Sequence, residues 1–266
     1  MCVFDSGIRM INSNSNKVNF ISIITATFNS EAEIISTYKS IESQSITDWE
    51  WLVTDDSSSD RTYQILSELA TFDPRIKVFQ NKVNSGAAVS RNNSLRFATG
   101  EFIAFIDSDD TWDNNKLEKQ LSFMEGGIDF SFTAYDLIDE QGEALNKIVD
   151  SNQSGEFSYE DMLRKKATLG CSTVMLRRSA FKDISMPLLR TGQDYATWLK
   201  LLKSGNKAHL LNEVLTHYRI MPNSISRNKV KKAKRQWQIY RNVESLSFLK
   251  SAICFSFYAW RAVFRK

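Results

Sequence analysis

Histidine is nearly absent from this chain: His209 and His217 are the only two in 266 residues. A centre built from several imidazoles is excluded, so any catalytic cation must rest on carboxylates. Cysteine is scarce too. Cys2, Cys171 and Cys254 are an odd set without close spacing, which excludes an evident disulfide framework or cysteine zinc site and fits a reducing compartment. No G-x-G-x-x-G follows the first apolar run, where Thr27-Phe28-Asn29-Ser30-Glu31 stands instead, and this excludes a dinucleotide-binding oxidoreductase. Met1 to Lys17 has no charged-then-apolar pattern and reads as a frayed leader rather than a signal peptide. The net charge of +3 is too small to imply a strong polyanion partner, and nucleic-acid binding has no support from the near-neutral first half. A single phospho-receiver domain is excluded by length and by a second acidic cluster it would leave unexplained.

What is present is an alternation of apolar runs and amphipathic segments. Phe20 to Thr27 reads as a buried β-branched strand, and Trp49 to Asp55, Ile76 to Gln80 and Phe102 to Ile106 read as three more. Helices are expected between them. Ser30 and Glu33 have capping-box spacing for one running to about Ser43, Asp60 opens a second, and Gly86 to Ala98 forms a third closed by Gly100. This order argues for parallel pairing with helices on both faces. Further strands are expected at Ile128 to Ile138, Ser172 to Leu176 and Ala208 to Tyr218, with a helix at Asp194 to Leu202 and a polar, weakly periodic segment after Gln141-Gly142. The expected class is α/β: one Rossmann-like mixed sheet flanked by helices, with a helical tail.

Two acidic clusters fall where strands end, Asp55-Asp56 and Asp107-Ser108-Asp109-Asp110. Ligands of open α/β sheets bind beyond the carboxyl ends of strands. Crowded carboxylates repel unless a cation or donors intervene. Asp107 and Asp109 are two apart and share a face of an extended segment, which suits Mg²⁺ or Mn²⁺ held by one or two carboxylates plus phosphate oxygens. Asp110 and Asp113 are as well explained as helix caps.

The run SIITATFNSEAEIISTYKSIESQSITDWEWLVTDDSSSDRT resembles the start of family 2 glycosyltransferases, which have the GT-A fold. NSGAAVSRNNSLRFATGEFIAFIDSDDTW is similar to the middle of that domain, and GQDYATWLKLLKSG to its catalytic helix; GCSTVMLRRSAF and YRIMPNSIS add matches. The likeness covers about Phe20 to Tyr240 and is nearest to bacterial enzymes that build teichuronic acid and capsule. It implies an inverting transfer of sugar from a nucleotide diphosphate, with UDP the expected nucleotide, to a glycan or lipid-linked saccharide. Thr25 would lie near the base, Asp56 would bond it, and Arg91 would lie close to the nucleotide. Asp107 would contact the ribose, Asp109 the metal, and Asp194 would be the base. Arg91 reads equally as a surface helix residue, and Thr191 to Asp194 has capping-box spacing, so Asp194 reads alternatively as a helix stabiliser. Met221 stands where many relatives carry histidine. His217 is expected to be a partly buried strand residue, and Trp112, Trp198 and Trp237 are expected in the core rather than stacked on sugar.

Seven of the fifteen residues from 227 to 241 are Lys or Arg, and a more apolar stretch follows, interrupted by Lys250 and Arg261. It is too short to span a bilayer and reads as an interfacial helix on an anionic membrane, or else as a helix packed on the domain. The expected division is a leader at 1–18, a catalytic domain at 19–226 and a basic tail at 227–266, in a cytoplasmic protein with peripheral contact to the inner membrane face. A nucleotide-sugar-binding homologue without a working base is the alternative, distinguished by nucleotide release that depends on Asp194.

Overall fold

β-branched and aromatic runs buried on both faces make the centre of this molecule a sheet. The computed structural model describes residues 20–221 and 229–264, without the side chains at 229 and 263; the expected leader and most of the late MPNSIS segment lie outside the described residues. The first half alternates β1 (Ile21–Thr27), α1 (Ile34–Glu42), β2 (Trp49–Asp55), α2 (Thr62–Phe72), β3 (Ile76–Gln80), α3 (Ala87–Leu95) and β4 (Phe102–Phe105). The second half is mixed: β5 (Thr111–Trp112), α4 (Lys116–Met124), β6 (Phe130–Ile138), β7 (Ala144–Val149), β8 (Glu156–Phe157), α5 (Tyr159–Leu163), β9 (Met175–Arg177), α6 (Gln193–Lys203) and β10 (Ala208–Arg219). Two helices follow, α7 (Lys229–Gln238) and α8 (Phe248–Phe264), with a short π-helical segment between them.

The main sheet path runs β3-β2-β1-β4-β9-β6-β10-β5, with β7 on β6 and β8 on β10. Strands β1 to β4 pair in parallel, and β9 joins the halves antiparallel to both β4 and β6. The chain moves outward from β1 through β2 to β3, then returns to place β4 on the other side of β1. Strand order reverses there, and such a switch point opens a crevice at the carboxyl ends. Side chains alternate across β1 and β2, so Ile23, Trp51 and Val53 enter one core while Ile24 and Leu52 enter the other.

Two expected local features are absent. The capping box at Ser30 does not form: α1 begins at Ile34, and the Ser30 hydroxyl instead meets the Ser108 hydroxyl at 2.9 Å, tying two strand-end loops together. Gly100 does not close α3. A Cβ there would lie 2.5 Å from the Ser22 amide nitrogen, so the glycine permits close approach of β1. Strand β7 occupies the segment that reads as weakly periodic.

The tail is built into the body. Ile239, Tyr240, Leu246 and Cys254 share one buried cluster with Ile24, Phe105 and Trp198. The fully buried Tyr240 donates to the Leu163 carbonyl at 2.5 Å, and Tyr159 donates to Glu244 at 2.6 Å. Among the described residues no helix is long and apolar enough to cross a membrane.

Candidate active site

The second acidic cluster sits in a loop fixed from both sides. Beyond β4 the Asp107 amide donates to Ser172 Oγ at 3.0 Å, and that hydroxyl donates to Asp110 Oδ2 at 2.5 Å. The other Asp110 oxygen accepts the Arg219 amide at 2.9 Å. The Arg219 guanidinium donates to the carbonyls of Asp109, Asp139 and Glu140. Thr37 donates to the carbonyls of Ser108 and Asp110. Asp110 is fully buried, and burial, then Asp109 and Asp107, push its carboxyl well up. It is a structural member that joins β4, β10 and the Ser172 turn, where the sequence allowed a helix cap.

The Asp109 carboxyl sits, partly buried, in the same loop. Burial and the neighbouring Asp107 charge raise it to about 7. Its own backbone amide donates toward it, and among the described residues no cage of three metal-ligating side chains exists. A hard divalent cation fits a crowded carboxylate of this kind, with most of its shell supplied by a ligand's phosphate oxygens.

Arg91 is no surface residue. It is 5% exposed on α3, and its Nη2 donates to Asp107 Oδ1 at 2.5 Å. Its Nε is enclosed without a hydrogen-bond partner. The register of α3 is set by Asp56, which accepts from Asn81 Nδ2 and the Ser85 amide at 2.8 Å each and from the Gly86 amide at 2.7 Å. Gly86 caps the helix with φ of 92°, a conformation that favours glycine. Three donors leave a carboxylate about one of its roughly four acceptor positions for a ligand. Asp55 is fully buried and holds Ser58 and Gln80. Thr25 is fully buried as well: its hydroxyl donates to the Ile106 carbonyl and accepts from the Trp51 indole, both at 2.9 Å, so it places the end of β1 rather than offering a free group. Phe28, 46% exposed just beyond β1, presents an aromatic face that the motif contains and the sequence reading passed over.

Asp194 lies in the first turn of α6. The helix is capped by left-handed Gly192 with no side-chain cap bond, so the capping box does not form. Among the described residues none donates to the Asp194 side chain. Asp194 and Asp107 line one cavity of about 760 Å³, with Tyr218, Cys171 and, from the tail, Arg235 and Ile239 also on its wall.

Asp107 and Asp194 thus share one cavity, Arg91 reaches it through its bond to Asp107, Asp109 lies in the same loop as Asp107, and Asp56 follows β2, which β1 separates from β4. Ser172, Arg219 and Arg235 were missed as site-builders; the first two stand in matched motifs, and only tertiary contacts reveal what they hold. His217 is a partly buried strand residue as expected, 2.7 Å from Asp136 and 3.2 Å from Asp113. Trp112 and Trp198 are core, and Trp237 packs edge-on against Phe248 and Phe255.

The family model described as Glycosyl transferase family 2 matches residues 22–185. The chain is 46% identical over 244 residues to TuaG of Bacillus subtilis, whose name assigns it to teichuronic acid biosynthesis as a glycosyltransferase; 91% of this chain and 96% of TuaG are covered. It is 38% identical over 221 residues to WfgD of Escherichia coli, named UDP-Glc:alpha-D-GlcNAc-diphosphoundecaprenol beta-1,3-glucosyltransferase, with 82% and 84% covered. Among solved structures, residues 1–349 of Staphylococcus aureus TarS with UDP-GlcNAc superpose with a TM-score of 0.70 at 22% identity, covering 92% of this chain and 73% of that one. The shared architecture is the GT-A fold.

Proposed function

The chain belongs to glycosyltransferase family 2, and on that premise we propose that it transfers a sugar from a UDP-sugar to a lipid-linked saccharide with inversion at the anomeric carbon. The observation that carries this reading is the pairing of Asp107 and Asp194 on one cavity wall, with the raised Asp109 carboxyl in the same loop as Asp107. Asp109 would hold Mg²⁺ or Mn²⁺, and the bound ion supplies charge neutralisation for the departing diphosphate. Arg91 holds Asp107 oriented toward the ribose. Asp56 offers its remaining acceptor position to the imide N–H of the base, and Phe28 offers a ring face. Thr25 supports both by fixing the strand end. Asp194 takes the proton of the acceptor hydroxyl as that oxygen bonds to the anomeric carbon and the bond to the diphosphate oxygen breaks.

The acceptor class follows the WfgD name, which carries a diphosphate-linked lipid. The outer face of α8 supports a location on the cytoplasmic membrane surface. Leu249, Ile253, Phe257, Trp260 and Phe264 are exposed at spacings of four, four, three and four residues, which aligns them in one stripe. Basic α7 packs beside it, and an apolar stripe flanked by cations complements an anionic bilayer.

The test is UDP release from a panel of UDP-sugars with membrane lipid extract and Mn²⁺. Asp194→Asn should lower kcat by about 10²- to 10⁴-fold while UDP-sugar binding stays at the wild-type level. Wild-type turnover in Asp194→Asn removes Asp194 from the chemistry.

A further inference from the structure

The cavity that holds Asp194 has a second electrostatic character on its tail side. Lys147 of β7 and Lys232 and Arg235 of α7 all line it. No described carboxylate comes within ion-pair distance of any of the three; among them the Asp194 charge acts on Arg235 alone, and the two lysines have no such counter-charge. Burial, then the charges of Arg235 and Lys147, hold the Lys232 ammonium below the ordinary lysine range. Like charges brought together on elements distant in sequence repel unless an anion comes between them. The Arg235 Nε is enclosed without a hydrogen-bond partner. Its stem is packed against the start of α6: a Cβ on Gly192 would lie 2.7 Å from Arg235 Cδ. The guanidinium is therefore anchored two residues along the chain from the position of Asp194.

The donor's diphosphate does not account for these cations. Its cation would rest on Asp109, and Asp109 is not on this cavity's wall. An anion carried by the other substrate would meet them. We propose that Lys147, Lys232 and Arg235 form a subsite for the phosphate or diphosphate through which an acceptor saccharide is carried, seating its hydroxyl beside Asp194. This rests on the transferase reading of the same cavity. Guanidinium and ammonium groups together suit phosphate oxygens, the first by its planar fork and the second as a point charge. The β7 arm is exposed along most of its length, so it gains little by burial, and the cavity wall gives it a use.

The test is calorimetric titration of the full chain with a short-chain alkyl diphosphate, in EDTA and without nucleotide. The wild type is expected to bind, and the Lys147→Gln/Lys232→Gln variant to bind at least about tenfold more weakly, since charge-assisted phosphate contacts are each worth about that factor. Neither lysine side chain makes a described hydrogen bond or ion pair, so the variant is expected to fold, and Arg235→Lys is expected to bind between the two. Asp109→Ala should bind as the wild type does. No binding by the wild type, equal binding by the double variant, or loss of binding in Asp109→Ala would each overturn the subsite. A parallel arm uses phosphatidylglycerol vesicles. If the double variant loses only vesicle binding and keeps the alkyl diphosphate, the cations serve the bilayer and the assignment fails. Absence of UDP release from every UDP-sugar would instead defeat the transferase reading and leave the titration result standing by itself.

Discussion

At Asp109 two requirements oppose each other. The free protein has to tolerate a carboxyl raised by burial and by Asp107, and the proposed reaction needs that carboxyl ionised on a cation. The sign of the linkage follows. The folded state holds its proton up to about pH 7, whereas the unfolded chain releases it near the ordinary aspartate value of about 4. Between those values the folded state binds more protons, so the stability of the metal-free protein falls as pH rises through that window. Asp109→Asn removes the term. It should show a higher unfolding midpoint than the metal-free wild type at pH 8, a smaller difference at pH 4, and no Mn²⁺-dependent gain in either stability or UDP release. Thermal scans with and without Mn²⁺ measure this, and an equal Mn²⁺ shift in wild type and variant would place the cation elsewhere. Glu50 has the opposite sign. Although burial opposes it, donation from Lys77, Thr99 and Ser22 holds its carboxyl below the ordinary range, so its contribution is present at neutral pH and lost as pH falls through its folded value.

Among the elements, the contact of β1 with the segment entering β4 is the tightest in backbone terms. Gly100 donates to Ser22 Oγ, and a Cβ there would meet three backbone atoms of residues 20, 22 and 102 at 2.8 Å or less. Backbone cannot rotate away as a side chain can. Gly100→Ala should cost about 1–3 kcal/mol or somewhat more, read as a lower urea midpoint. Gly126→Ala has nothing within 4 Å of its new carbon and should change the midpoint little. Equal midpoints for the two variants would remove the close-approach argument. The same strand pair shows which elements are legible in a sequence. Strands β1, β2 and β4 were readable because their apolar runs are nearly continuous, and β2 and β4 lead into acids. Strand β7 was not, because five of its six residues are exposed and carry no apolar period. Ser30 and Glu33 have the spacing of a capping box, yet Ser30 is drawn to Ser108, a partner 78 residues away that spacing cannot report.

At the scale of the whole molecule, the tail decides how the site is enclosed. Its basic composition left two readings open, a membrane surface or a packed helix, and the fold supports each with a different face. Cys254 and Ser251 point inward, while the Leu249 to Phe264 stripe points out. Asp56, Asp107 and Asp109 were legible because they follow strands; the cavity wall that α7 contributes was not, because α7 reaches it only through tertiary packing. Replacing Leu249, Ile253 and Trp260 with glutamate should abolish sedimentation with phosphatidylglycerol vesicles and leave the unfolding midpoint within about 0.5 kcal/mol of the wild type, as exposed substitutions ordinarily do. Undiminished sedimentation would remove the membrane role of α8.

Because Ile239, Tyr240, Leu246 and Cys254 complete an interior that begins with Ile24, a ribosome must deliver most of the chain before that interior can close. At common elongation rates the interval is on the order of tens of seconds. Until Tyr240 emerges the Leu163 carbonyl lacks its hydrogen-bond partner, so holding chaperones have a defined window in which to engage the nascent protein.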